Sequence, residues 1–283
     1  MRSERLIQFY MTNQCNSHCR TCSIWRNENT LELNANKVLE IMQQFPTADY
    51  VLGGGEMTLY SDAKHLILSA IDMGINFTVL TNCIDYEFAE KLIEWNVPNI
   101  TISCDGINHD KIRGSKGNLD NIIKFVKAYK NKEGLNLKLS YTYSIFNEDS
   151  FVTDMHFFKG LGFDKIYFCL AEDMELLQAD ESVRAGSFEK ILEYKDMLYD
   201  KDVAFIENMC NGTKNVCDST KSVYTIFTNG DVVMCQSYMS SFVHGNIHDM
   251  SFKDIVENWE IDKRCPGCKY DEKCNLLCQR RYD

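Results

Sequence analysis

The chain has no long apolar run and little excess of positive charge anywhere. Its first fifteen residues interrupt their apolar positions with Arg2, Glu4 and Arg5, which excludes the unbroken core of a secretory signal. No stretch approaches the length of a membrane span. Basic side chains are outnumbered: 30 Lys and Arg face 41 Asp and Glu, a formal charge of -11. A phosphate backbone or an anionic membrane would be repelled by such a chain, so neither nucleic acid nor membrane is an expected partner. With only 3 prolines there is no Pro/Gly/Ser linker, and neither a low-complexity segment nor a repeat of fixed period occurs. What is abundant is cysteine. The expected location is the cytoplasm, where thiols stay reduced, and 13 cysteines in such a compartment point to metal rather than to disulfides.

At 283 residues and 45% hydrophobic content the chain can bury a sizeable core. Up to about residue 201, short β-rich runs alternate with longer amphipathic stretches. Strands are expected at 7–11, 50–52, 77–80, 100–103, 137–144 and 166–170, with helices at 34–44, 63–73, 87–95 and 119–129. Six β/α units fall short of the eight that close a full barrel. The expected fold is therefore α/β, a partial (β/α)6 TIM-like barrel with its active site at the C-terminal ends of the strands. After that the repeat stops and cysteine density rises, so a small second domain is expected over 202–283, with a hairpin turn at Thr228-Asn229-Gly230-Asp231.

Cys15, Cys19 and Cys22 follow the first expected strand directly, spaced x3 and x2. A [4Fe–4S] cubane normally takes four thiolates, so a loop offering three leaves one iron open to a small molecule. An open iron can chelate an amino acid and pass it an electron. The alternatives at this point are a zinc site, for which no fourth ligand follows at finger spacing, and three unrelated buried cysteines.

The run from Cys15 to Trp25 resembles the cluster loop of the radical S-adenosylmethionine (SAM) superfamily. Gly54-Gly55-Glu56, behind the second expected strand, resembles the glycine-rich motif that in this family bonds the SAM amino group; glycines let a ligand approach the backbone, and Glu56 is a negative partner for an ammonium. Thr81-Asn82 resembles the family's Thr-Asn-Gly, with Cys83 in place of the glycine. Ser103-Cys104-Asp105-Gly106, followed by Arg113-Gly114, resembles its Ser-x-Asp-Gly and Arg-Gly segment. The resemblance implies SAM-binding roles for Gly54, Gly55, Glu56, Asn82 and Ser103; a plain strand-end cap is the other reading of Ser103.

Later in the chain, Cys217, Gly230, Cys235, then Cys265, Cys268, Cys274 and Cys278, with Gly245-Asn246-Ile247 in the gap, resemble the SPASM extension of the same family, which carries auxiliary [4Fe–4S] clusters. The resemblance implies an inner cluster on Cys217, Cys235 and Cys278, with Cys210 as a fourth ligand, and an outer one on Cys265, Cys268 and Cys274. Seven cysteines cannot fill two cubanes, so one or two auxiliary clusters are expected, and a structural zinc on the last four cysteines stays open.

Cys83, Cys104 and Cys169 fall near strand ends. The bland reading is small buried hydrophobes; the sharper one is that Cys104 or Cys169 returns a hydrogen atom to a substrate radical, as in radical SAM epimerases. Gln236 stands where sulfatase-maturing members carry an acid, which disfavours that activity. No separate leader-binding domain is expected ahead of Arg5. The resemblance thus implies an oxidoreductase or epimerase fed by a flavodoxin- or ferredoxin-type donor, acting on a ribosomally made peptide or on a sugar-like metabolite. A non-catalytic iron–sulfur carrier is the reading from another class.

Overall fold

The computed structural model describes residues 5–171, 187–211, 223–233 and 243–258. The barrel portion runs β1 (Leu6–Thr12), α1 (Ala35–Gln44), β2 (Asp49–Gly54), α2 (Ala63–Asp72), β3 (Phe77–Thr81), α3 (Tyr86–Glu94), β4 (Asn99–Ser103), α4 (His109–Arg113), α5 (Asn118–Tyr129), β5 (Asn136–Tyr143), α6 (Phe151–Gly160) and β6 (Tyr167–Leu170). There follow α7 (Ser187–Leu192), α8 (Asp200–Cys210), β7 (Val223–Ile226), β8 (Asp231–Val233), β9 (Val243–Asn246) and α9 (Phe252–Glu257). All six expected strands form, and the expected helices begin and end within a residue or two of their places.

Local chemistry explains the boundaries. The Asn34 side chain accepts from the Asn36 and Lys37 N–H groups to start α1, and Asp85 accepts from Phe88 N–H to start α3. Gly114, at φ +65°, ends α4 in the left-handed conformation a glycine adopts freely.

Strands β1 to β6 are parallel neighbours in chain order. The sheet does not stop there: its order is β6-β5-β4-β3-β2-β1-β7-β8-β9. β7 pairs parallel to β1, and β8 and β9 return antiparallel as the expected hairpin and one further strand. Residues 201 and 202, where the second domain is expected to begin, fall within α8, and the sheet runs on from the barrel strands to β7, β8 and β9. Phe252 of α9 packs edge-on against both Phe45 and Tyr224, tying the two parts together.

Along β3, β5 and β6 the two faces differ. On β5, Leu137, Leu139, Tyr141 and Tyr143 are buried among the helices, while Lys138, Ser140 and Thr142 point to the other side. Fully covered parallel strands usually read as continuous apolar runs. Here the alternation reserves one face for the core and one for a polar lumen. The centre of the core near β5 is aromatic: Phe151 meets Tyr141, Tyr143, Phe168 and Tyr194 with ring centroids between 5.5 and 6.4 Å. Phe151→Ala should lower stability by about 3–5 kcal/mol, read from the denaturation midpoint, whereas Ile107→Ala, at an exposed position, should change it by under about 0.5 kcal/mol.

Candidate active site

The loop after β1 leaves the C-terminal end of the sheet and carries Cys15, Cys19 and Cys22. Cys19 is buried, the other two half-buried, and all three are free thiols. Three neighbouring segments hold this loop. From the end of β2, Gly55 N–H donates to the Thr12 carbonyl at 2.7 Å and Glu56 N–H to the Gln14 carbonyl at 2.8 Å. A methyl group on Gly55 would stand 1.9 Å from that Gln14 oxygen, so only glycine admits the contact. From the end of β3, Asn82 Nδ2 donates to Asn16 Oδ1 at 2.8 Å. From α4, the Arg113 carbonyl accepts from His18 N–H at 3.0 Å and from the Ser17 hydroxyl at 3.0 Å, and the Ile112 carbonyl accepts from Arg20 N–H at 2.9 Å. Trp25 closes the loop, its indole N–H on the Cys19 carbonyl at 3.1 Å and its ring against His18, which is exposed.

The five expected SAM-binding residues come together at the ends of β2, β3 and β4. Glu56 is buried, and its carboxylate accepts from the Thr81 hydroxyl at 2.7 Å and Asn82 N–H at 2.8 Å. It ties β2 to β3, and burial pushes its pKa up to about 7 despite those donors. Cys83 stands at φ +59°, which explains why a glycine suits this place in the motif. Its thiol is fully buried, and desolvation pushes it up to about 12.

The two proposed hydrogen donors separate. Cys104 lies on the core side of β4, fully buried among apolar residues, with its thiol pushed up to about 12 by burial. Cys169 lies on the lumen side of β6 and is half-buried. The lumen is a cavity of 280 Å³ that runs from the N-terminal ends of the strands, at Leu6, Asp49, Asn99 and Asn136, up to Ser103 and Cys169. Lys138 also lines it and donates to the Tyr167 hydroxyl; burial pushes its ammonium down. Thr101, 1% exposed, turns a hydroxyl without a partner into the same space.

Sequence reasoning missed Asn16, Lys138 and the Asp105–Arg113 pair. Asp105 is fully buried and takes Arg113 Nε at 2.6 Å on one oxygen and Nη2 at 3.0 Å on the other. The alternation Leu137, Lys138, Leu139 was the available signal for a polar lumen. Cys210 is exposed at the end of α8, while Cys217, Cys235, Cys265, Cys268, Cys274 and Cys278, and Gln236 with them, lie outside the described residues.

The three-cysteine loop fits an iron–sulfur cluster. Burial pushes the Cys15 thiol up to about 12 and raises Cys22 as well, so these groups become thiolates at neutral pH only beside a strong cation. Among the described residues no three His, Cys, Asp or Glu side chains converge as a single metal ion requires; a cubane takes each thiolate on its own iron.

The Radical SAM superfamily description matches residues 9–158, more than half of the 283. The chain belongs to the radical SAM superfamily. Residues 217–279 match the SPASM description, an iron–sulfur cluster-binding domain. No curated protein matches the chain. Among solved structures it is similar to Streptococcus suis SuiB bound to precursor peptide SuiA, at 15% identity and a TM-score of 0.70 over 95% of this chain and 67% of that one. It is similar also to anSMEcpe with bound AdoMet, at 17% identity and a TM-score of 0.68 over 95% and 84%. Identities so low speak for the fold. Membership makes this radical SAM chain an enzyme with a SAM-binding [4Fe–4S] cluster and auxiliary iron–sulfur clusters. Among its described residues no helix is long and apolar enough to cross a membrane.

The left-handed backbone at Cys83 gives a direct test. Cys83→Val should destabilise the protein by about 1–3 kcal/mol, since a β-branched side chain resists that conformation. Cys83→Gly should stay within about 1 kcal/mol of the parent, strain relief offsetting lost packing. Equal losses in both variants, by chemical denaturation, would contradict the strain assignment.

Proposed function

We propose that this radical SAM enzyme oxidises or cross-links a ribosomally made peptide in the cytoplasm, with Cys15, Cys19 and Cys22 holding the SAM-binding cluster. When bound, the cluster supplies one electron to the SAM sulfonium, giving methionine and a 5′-deoxyadenosyl radical. One observation carries the assignment: the free thiols of the loop and the motif residues Gly54, Gly55, Glu56, Asn82 and Ser103 share one end of the sheet, joined by the bonds from Gly55, Glu56 and Asn82. In this reading the glycine backbone, Asn82 and Ser103 position SAM, and Ser103 also borders the lumen where a substrate group enters. The electron comes from a flavodoxin- or ferredoxin-type donor. Cys217, Cys235 and Cys278, with Cys210, hold an inner auxiliary cluster, and Cys265, Cys268 and Cys274 an outer one. Support for a peptide is that SuiB was captured with precursor peptide SuiA and anSMEcpe with AdoMet and a Cp18Cys peptide.

The hydroxyl-lined lumen of 280 Å³ favours a second reading, epimerisation or oxidation of a sugar-like metabolite. Epimerisation would use Cys169: its thiol gives a hydrogen atom to the substrate carbon radical, and the resulting thiyl takes one electron and one proton from the same class of donor. Cys104, on the core side, serves this role less well.

Reconstituted protein given SAM and dithionite should release 5′-deoxyadenosine, and Cys15→Ala, Cys19→Ala and Cys22→Ala should each cut that release at least a hundredfold. A pure electron carrier would release none. Iron should fall by about four per chain in the triple variant, from about eight with one auxiliary cluster or about twelve with two. A peptide substrate turned over in D₂O should lose hydrogen without gaining deuterium. Uptake of one deuterium that Cys169→Ala abolishes would decide for epimerisation.

A further inference from the structure

We propose that Arg113, held by Asp105, is the fixed positive charge that eases electron uptake by the SAM-binding cluster, and that its main chain clamps the cluster loop. The inference rests on Cys15, Cys19 and Cys22 being the ligands of that cluster.

The geometry starts from Asp105, at the end of β4. Its carboxylate is fully buried and anchored by Thr142 N–H at 3.2 Å as well as by the two guanidinium bonds. The Arg113 side chain, 13% exposed, is thereby held in one orientation by a forked pair. The same residue's carbonyl takes His18 N–H and the Ser17 hydroxyl, and that hydroxyl lies 3.1 Å from Cys19 Sγ. Behind it, a methyl on Gly114 would stand 3.0 Å from the His18 carbonyl, so the segment lies tight against the loop. Through the Ser17 hydroxyl, the Arg113 main chain is thus one bridging group away from the Cys19 sulfur.

A cubane on three thiolates gains one negative charge when it takes an electron. In a buried site a nearby guanidinium stabilises the added charge far more than it would in water. Asp105 offsets part of that effect. The two partners therefore act on the potential with opposite signs, although loss of either loosens the same loop.

The test is an EPR-monitored redox titration of the iron-loaded full chain, following the [4Fe–4S]⁺ signal that changes when SAM is added, with iron content measured in parallel. Arg113→Met should make reduction at least tenfold less favourable, a fall of about 59 mV for one electron. Asp105→Asn, which keeps an acceptor for Thr142 but removes the negative charge, should move the midpoint upward, and Arg113→Lys should fall between Arg113→Met and the parent. Shifts of the same sign in Arg113→Met and Asp105→Asn, or no shift in either, would overturn the proposal. If Arg113→Met fails to load iron, Asp105→Asn alone decides: a rise supports the proposal, no change or a fall refutes it. A SAM-responsive signal that survives Cys15→Ala would fault the ligand assignment instead.

Discussion

The site depends on one constraint: a loop bonded to three neighbouring segments, two of them through its backbone, before any cluster is considered. The β2 end supplies N–H donors from Gly55 and Glu56, and α4 supplies carbonyl acceptors from Ile112 and Arg113. Backbone groups so engaged cannot rearrange without leaving polar atoms unpaired in a buried region, which costs about 1–3 kcal/mol for each. Three thiols on a stiff loop present themselves together. That is what a cubane needs, because ordering a floppy loop at the moment of binding would oppose assembly.

The second level of organisation is the two-faced sheet. Placing Tyr141, Tyr143 and Phe168 in the core and Lys138, Ser140 and Cys169 in the lumen is a matter of strand period alone. The same alternation separates Ser103 from Cys104, adjacent in sequence and on opposite faces, and so separates a residue that can meet a ligand from one that packs. The lumen's hydroxyls and Lys138 are unsuited to a hydrophobic interior, and Thr101 in particular has its hydroxyl buried with no partner among the described residues. Such a group is tolerated where water or a ligand satisfies it.

Much of this was legible in the residues. The places of α1, α3, α5 and β5 followed from periodicity because these elements are strongly two-faced, and the three-cysteine loop was visible because cysteine spacing is a covalent fact that tertiary structure cannot shift. The rest needed coordinates for physical reasons. That β7 continues the barrel sheet is a long-range pairing with β1 that no local pattern encodes. Glu56 read as a free negative charge; its engagement by Thr81 and Asn82 depends on the neighbouring strand's register. The Asp105–Arg113 pair spans a 3-10 turn at Gly106–Asn108 and the short helix α4, a geometry that spacing does not resolve.

The most direct test of the central claim is residue-resolved hydrogen exchange on the cluster-free protein. The account predicts that the amides of His18, Arg20, Gly55 and Glu56 exchange slowly, with protection approaching that of β1 itself. Exchange at the rates of an unstructured peptide would contradict it, and would mean that the cluster builds the loop rather than finding it built.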